Sequence, residues 1–201
     1  MNVTKDKVSS IFFKYSIPSV LGMLAISSAS IVDGYFIGNY VGDLGLAAIN
    51  ISLPIFSLLF GLSLMLAIGG SVTSGKLIGE KDIKNASLIF TKTVICIIGF
   101  SFITCFLLFI NIETILYLLG STDDLIKISM EYMSILLIFL PFLMIGIVLD
   151  YFVRVDNRPN LAFIALLSSA VVHVLLDWIL IAHLEKGIFG AALATGISEL
   201  V

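Results

Sequence analysis

Ile31 to Pro54 reads IVDGYFIGNYVGDLGLAAINISLP. Asp33 sits near the end of an apolar run that begins at Ile11, a short Gly-rich connection follows, and a second apolar run starts at once. Two such runs joined by so short a link read as consecutive membrane-spanning helices. Within a bilayer an ionised Asp at a helix centre costs at least about 2.5–3.5 kcal/mol, so an intramembrane acid marks a functional site by default. The alternative is that Asp33 is a helix-end residue whose carboxylate reaches headgroup water.

Composition supports the membrane reading. The chain has 201 residues, 59% hydrophobic and 12% charged, with mean hydropathy +1.14, whereas a soluble domain is about half apolar and a quarter charged. The net charge of −3 is small. No basic run and no finger-like Cys/His spacing points to nucleic acid. Cys96 and Cys105 stand nine positions apart in one apolar run, roughly 13 Å of helical rise, too far for a mutual disulfide. They read as small core residues. Lys5, Lys7 and Lys14 precede the first apolar run, but that run is too long for a signal-peptide core and lacks a cleavage site, so a retained first span is expected.

A spanning helix takes about 20 apolar residues. By that measure the chain is an all-α membrane protein, a single domain over residues 1–201, with six candidate spans at about 11–37, 46–75, 86–110, 127–153, 160–183 and 187–201. The sixth is incomplete when the sequence stops at Val201, as though the chain were the front part of something longer. Lys7 and Lys14, then Lys76, Lys81 and Lys84, then Arg154 and Arg158 fall on alternate ends of the spans. The other links carry Asp43, then Glu113, Asp123, Asp124 and Lys127, then Glu185 and Lys186. The positive-inside rule then puts the N-terminus in the cytoplasm. A multi-pass protein of the plasma membrane is expected.

Three acids lie in or beside apolar runs: Asp33, Asp150 and Asp177. Asp177 is flanked by apolar residues in SSAVVHVLLDWILIAHL, and His173 lies four positions earlier on the same helix face. An Asp with a His one turn away is a candidate proton or cation site; the alternative is a pair that satisfies itself inside the bundle. Asp150 precedes Arg154 by four positions and reads as a structural ion pair at the cytoplasmic end. His183 reads as a boundary residue, and Glu199 lies in the incomplete last span. Pro18 interrupts the first span by removing a backbone donor, a candidate hinge or a static kink. Gly61, Gly69, Gly70, Ser71, Ser74, Gly75 and Gly79 make the second span dense in small residues, which permits close helix packing. Gly69-Gly70 is not followed by Gly-Lys-Ser/Thr, so it is no nucleotide loop. Asp33-Gly-Tyr-Phe-Ile leading to Gly45-Leu-Ala-Ala is weakly echoed by Asp177-Trp-Ile-Leu-Ile leading to Gly190-Ala-Ala-Leu. No nucleophile–base pair, metal-ligand spacing or cofactor fingerprint appears, so neither an enzyme nor a cofactor is expected.

In order along the chain stand SIPSVLG around Pro18, VDGYFIGNYVGDLGLAA, the small-residue span ending GKLIGEKD, YFVRVDNRPNLA, VLLDWILI and GAALAT. This ordered set resembles the N-terminal lobe of the multidrug and toxic compound extrusion (MATE) transporters. The resemblance implies one six-helix lobe of a twelve-span antiporter whose lobes are related by pseudo-symmetry. It implies export of organic cations and drugs in exchange for H+ or Na+ by alternating access. In that family Asp33 matches a first-span acid implicated in coupling, Asp177 the fifth-span acid of the same network, and Thr195 a polar sixth-span position near them. A coupling Na+ at Asp33 and Asp177 is one form the resemblance allows. Pro18 matches a first-span proline around which bending has been proposed. His173 falls where many relatives carry Asn, and Asp150 where a neutral polar residue is common. The chain offers one lobe and would need a C-terminal lobe or a second half-transporter. A flippase of lipid-linked precursors or polysaccharides from the same superfamily, or a fragment inactive alone, are the competing readings.

Overall fold

A computed structural model describes residues 7–201; Lys5, one of the N-terminal positive charges, lies outside the described residues. The polypeptide forms α1 (Val8–Tyr40), α2 (Asp43–Gly79), α3 (Ile83–Leu118), α4 (Asp123–Val155), α5 (Pro159–Asp177) and α6 (Gly187–Ser198). Between α5 and α6, Trp178–His183 continue the α5 axis as a wider π-helical turn. The first four helices and the combined α5–π segment are long and apolar enough to cross a membrane, whereas α6 has 12 residues. The helices overrun the apolar spans at most of their ends. α2, with 37 residues, is about 55 Å long against a hydrocarbon core of about 30 Å, so its ends lie in the headgroup region.

The links contain four residues or fewer, so successive helices lie antiparallel. Each link turns on a residue with positive φ: Gly42 (89°), Lys81 (65°), Gly120 (102°), Asn157 (63°) and Glu185 (50°). Gly42 combines its φ with ψ of −171°, a backbone region that a Cβ would block. At the start of α3 the Asp82 carboxylate accepts from the Asn85 backbone N–H at 3.2 Å, an N-cap. Pro159 begins α5, where its missing N–H is not needed.

α4 is the hub. Of its most apolar stretch 44% is buried, against 11% for α3. α2 packs on α4 and α3, α1 packs on α5, and α6 lies against α4 and α5. The core joins Ile37, Leu59, Ile97, Leu116, Met133, Met144, Val148 and Ile181. The outer surface is also apolar: Phe102, Phe106 and Phe109 project from α3, and Phe12 and Phe13 from α1. In water such a surface would drive association; in hydrocarbon it needs no partner.

The small residues of α2 divide by position. Gly70 lies so close to Thr93 that a Cβ would collide with it and would crowd the Phe152 ring, and Gly75 is in contact range of Val155. Ser71 and Ser74 are buried, and the Ser74 hydroxyl donates to the Ala86 carbonyl across the α2–α3 contact at 3.2 Å. Gly61, Gly69 and Gly79 face open space, so close packing explains only part of the stripe.

Candidate functional site

Asp33 is supplied by α1, His173 and Asp177 by α5, and Thr195 by α6. The packing of α1 on α5 and of α6 beside α5 brings the four together. The common vertex is His173 Nε2. Thr195 Oγ1 lies 3.4 Å from it, Asp177 Oδ1 3.7 Å and Asp33 Oδ1 4.0 Å. One donor atom each from Asp33, His173 and Asp177 falls within 4.8 Å of the other two. No metal-ligand spacing is visible along the chain; the fold creates one by bringing two helices from opposite ends of the sequence into contact.

The burial of these groups sets their chemistry. Asp177 is 0% exposed. Neither of its carboxylate oxygens has a hydrogen-bond partner, and Asp33 Oδ1 is likewise buried without one. A buried polar atom without a partner forfeits the hydrogen bonds it would make in water, typically about 1–3 kcal/mol and more for a charge. The His–Asp pair on α5 is therefore not self-satisfied: its separation exceeds hydrogen-bonding distance. Thr195 is anchored by donating its hydroxyl to the Ala191 carbonyl at 3.0 Å, which leaves its oxygen free to accept toward the cluster.

Tyr132 of α4, not recognised from sequence, is buried with its hydroxyl beside Thr195. The signal available in the sequence was a phenol in the apolar run YMSILLIFL, and a buried Tyr usually finds a polar partner. Immediately after Asp177 the backbone widens into the π-turn, a local form found frequently at functional sites. His183 at its far end is exposed and stacks on Trp178 with ring centroids 6.3 Å apart.

The remaining candidate residues gather at the Lys/Arg-rich end. Arg154 grips Asp150 with two bonds of 2.9 Å, from Nε and Nη2. Its Nη1 donates to the Ser19 hydroxyl on α1. One turn further along, Lys14 Nζ and Tyr15 Oη donate to Asn157 Oδ1 at 3.0 and 2.8 Å. Pro18 is buried between these contacts, and α1 runs through it as one helix. Ser19 also donates to the Tyr15 carbonyl at 2.7 Å, so hydroxyl bonding supports the backbone beside the proline. This network and the Asp33 cluster lie at different levels of α1.

Two recesses border the bundle near α2 and α4. A recess of about 280 Å³ is lined by Phe56, Ser57, Phe60 and Leu143. A separate, narrow recess of about 10 Å³ shares Phe56 and Leu143 with the first and is also lined by Leu136, Phe139, Thr195 and Glu199.

The family model described as MatE matches residues 18–179. The multidrug export protein MepA of Staphylococcus saprophyticus is 30% identical over 198 residues, covering 98% of this chain and 44% of that protein. MepA of Staphylococcus aureus is 26% identical over 196 residues, with the same coverages. The chain therefore spans less than half the length of these curated relatives. Among solved structures, the outward-facing conformation of a multidrug resistance MATE family transporter superposes with a TM-score of 0.89 at 24% identity. It covers 94% of this chain and 42% of that one. A transporter of the MOP superfamily from Pyrococcus furiosus gives 0.88 at 24% identity with the same coverages. At that identity the superpositions show the fold: one helical lobe of a larger transporter. Family model, relatives and fold agree with the ordered motifs, and the chain belongs to the MatE family of multi-pass membrane transporters.

Proposed function

We propose that this chain is the N-terminal lobe of a secondary antiporter that exports organic cations or drugs in exchange for H+ or Na+. The carrying observation is the fully buried Asp177 carboxylate and the half-buried Asp33, whose Oδ1 is buried, both facing His173 inside membrane-spanning helices with these oxygens unbonded. Such acids persist in a bundle at a cost in stability, and that cost is expected where they bind and release a cation. Asp33 and Asp177 take the coupling ion, and Thr195 and Tyr132 border it. The apolar recess beside Phe56 and Phe60 suits the hydrophobic body of an amphipathic cation. A second six-helix half completes the cleft, and the Lys/Arg-bearing ends lie in the cytoplasm, with the protein in the plasma membrane.

The buried charge at the cluster is acidic, which favours cationic cargo over the anionic head of a lipid-linked precursor. The test is ion-driven efflux of a fluorescent organic cation from cells expressing the native protein. Asp33→Asn and Asp177→Asn should each abolish it at unchanged membrane abundance. Efflux that survives both replacements would remove the site assignment. Loss of cell-wall precursor export on deletion, with unchanged drug sensitivity, would favour the flippase.

A further inference from the structure

We propose that Asp33, His173 and Asp177 form a binding site for a divalent transition-metal ion, which competes there with the coupling ion. Only the competition rests on the antiporter reading; the binding rests on the cluster itself.

Three observations carry the site. First, the three side chains present two carboxylate oxygens and one imidazole nitrogen within 4.8 Å of one another. Second, the carboxylates have no other partner: both Asp177 oxygens and Asp33 Oδ1 are buried and unbonded, with Asp177 fully buried. Third, the separations from His173 Nε2, 3.7 and 4.0 Å, are too long for hydrogen bonds but suit donors around an ion. Zn2+ held at about 2.0–2.2 Å by tetrahedral N and O ligands places those ligands about 3.4 Å apart. Binding would draw in the two His–Asp edges from 3.7 and 4.0 Å and the Asp33–Asp177 edge from as much as 4.8 Å.

The donor set and the charge select the class of ion. Imidazole nitrogen suits Zn2+, Cu2+, Fe2+ and Ni2+, whereas hard ions such as Mg2+ and Ca2+ prefer all-oxygen sites. A divalent ion neutralises both carboxylates at once, and that balance matters in a low-dielectric bundle. Three protein ligands leave a fourth position open. Thr195 Oγ1, 3.4 Å from His173 Nε2, borders that position, which a water or cargo donor can take. His173 is the discriminating residue, because without it the site reduces to two carboxylates.

The experiment is calorimetric titration of Zn2+ into the purified native protein, with Co2+ absorption spectra as an independent readout of nitrogen ligation. The expected result is one Zn2+ per chain that His173→Asn weakens. Disturbing even an outer-shell partner of a metal ligand costs about 10–100-fold in affinity, so loss of this direct ligand should weaken binding at least about tenfold. Zn2+ should also inhibit efflux by the wild type. Thermal unfolding confirms that the variant is folded, and Cys96→Ser with Cys105→Ser excludes thiol binding. Absence of Zn2+ binding by the wild type, or binding of equal strength in folded His173→Asn, overturns the metal site. If either occurs while Asp33→Asn and Asp177→Asn still abolish efflux, the antiporter reading stands alone. If binding depends on His173 while efflux survives both Asn replacements, the metal site stands and the coupling assignment fails.

Discussion

At the scale of single residues, the determining fact is that Asp177 has no exposed surface and no hydrogen-bond partner. A residue kept in that state is a stability cost. Asp177→Asn removes the buried acid without changing shape, and should stabilise the detergent-solubilised protein by on the order of 1–2 kcal/mol while abolishing efflux. Thermal unfolding beside a transport assay checks both halves. A destabilised Asn variant would mean that the carboxylate is bonded in the native protein. The acids and His173 were legible in the sequence because a titratable group in an apolar run contradicts its surroundings. Tyr132 was not, since a phenol in a hydrophobic helix raises no such contradiction and its neighbour Thr195 is far along the chain. The meeting of Asp33 with His173 was not legible either: it depends on α1 lying against α5, which spacing along one helix does not encode.

At the scale of elements, the first helix is held on both sides of its proline. Asn157 does two jobs there: its backbone takes φ of 63° and its side chain accepts from Lys14 and Tyr15. These can be separated. Asn157→Gly keeps the turn and loses the bonds; Asn157→Ala loses the bonds and adds left-handed strain of about 1 kcal/mol. Hydrogen exchange over residues 8–19 should accelerate in both variants, with the Ala variant also the less stable by thermal unfolding. Unchanged exchange in both would mean that the contacts do not restrain α1. The Asp150–Arg154 spacing was readable as a pair, but Ser19, Tyr15 and Asn157 entered only through tertiary contact. Glycines offer a matched contrast. A Cβ at Gly196 would collide with the Phe139 ring, whereas one at Gly61 meets nothing. Gly196→Ala should therefore cost about 1–3 kcal/mol by overpacking. Gly61→Ala should stabilise by about 0.5–1 kcal/mol through helix propensity. Thermal unfolding of the two variants side by side tests the packing of α6 on α4. The small-residue stripe in the sequence marked α2 as a packing helix but could not say which glycines touch a neighbour, because that is set by helix rotation.

For the molecule as a whole, the deciding feature is that its exterior is nearly as apolar as its core. Val8, Leu58, Phe106 and Leu118 are all more than 60% exposed. Such a surface holds the protein in hydrocarbon without help from charge. Alkaline carbonate and high salt should leave it in the membrane pellet, and only detergent should release it; release by carbonate would contradict the spanning assignment. The helix count and the order of the spans were evident from apolar run length. The hub position of α4 was not, because a helix surrounded by protein and one facing lipid have the same composition.

The brevity of the links also bears on how the protein is made. With no more than four residues between neighbours, each helix leaving the ribosome is tethered to its predecessor and enters the translocon as the returning arm of a hairpin. No single helix can then reverse its direction while its neighbours keep theirs. The Lys/Arg-bearing ends at Lys14, Lys81 and Arg158 therefore lie together at one side of the bundle.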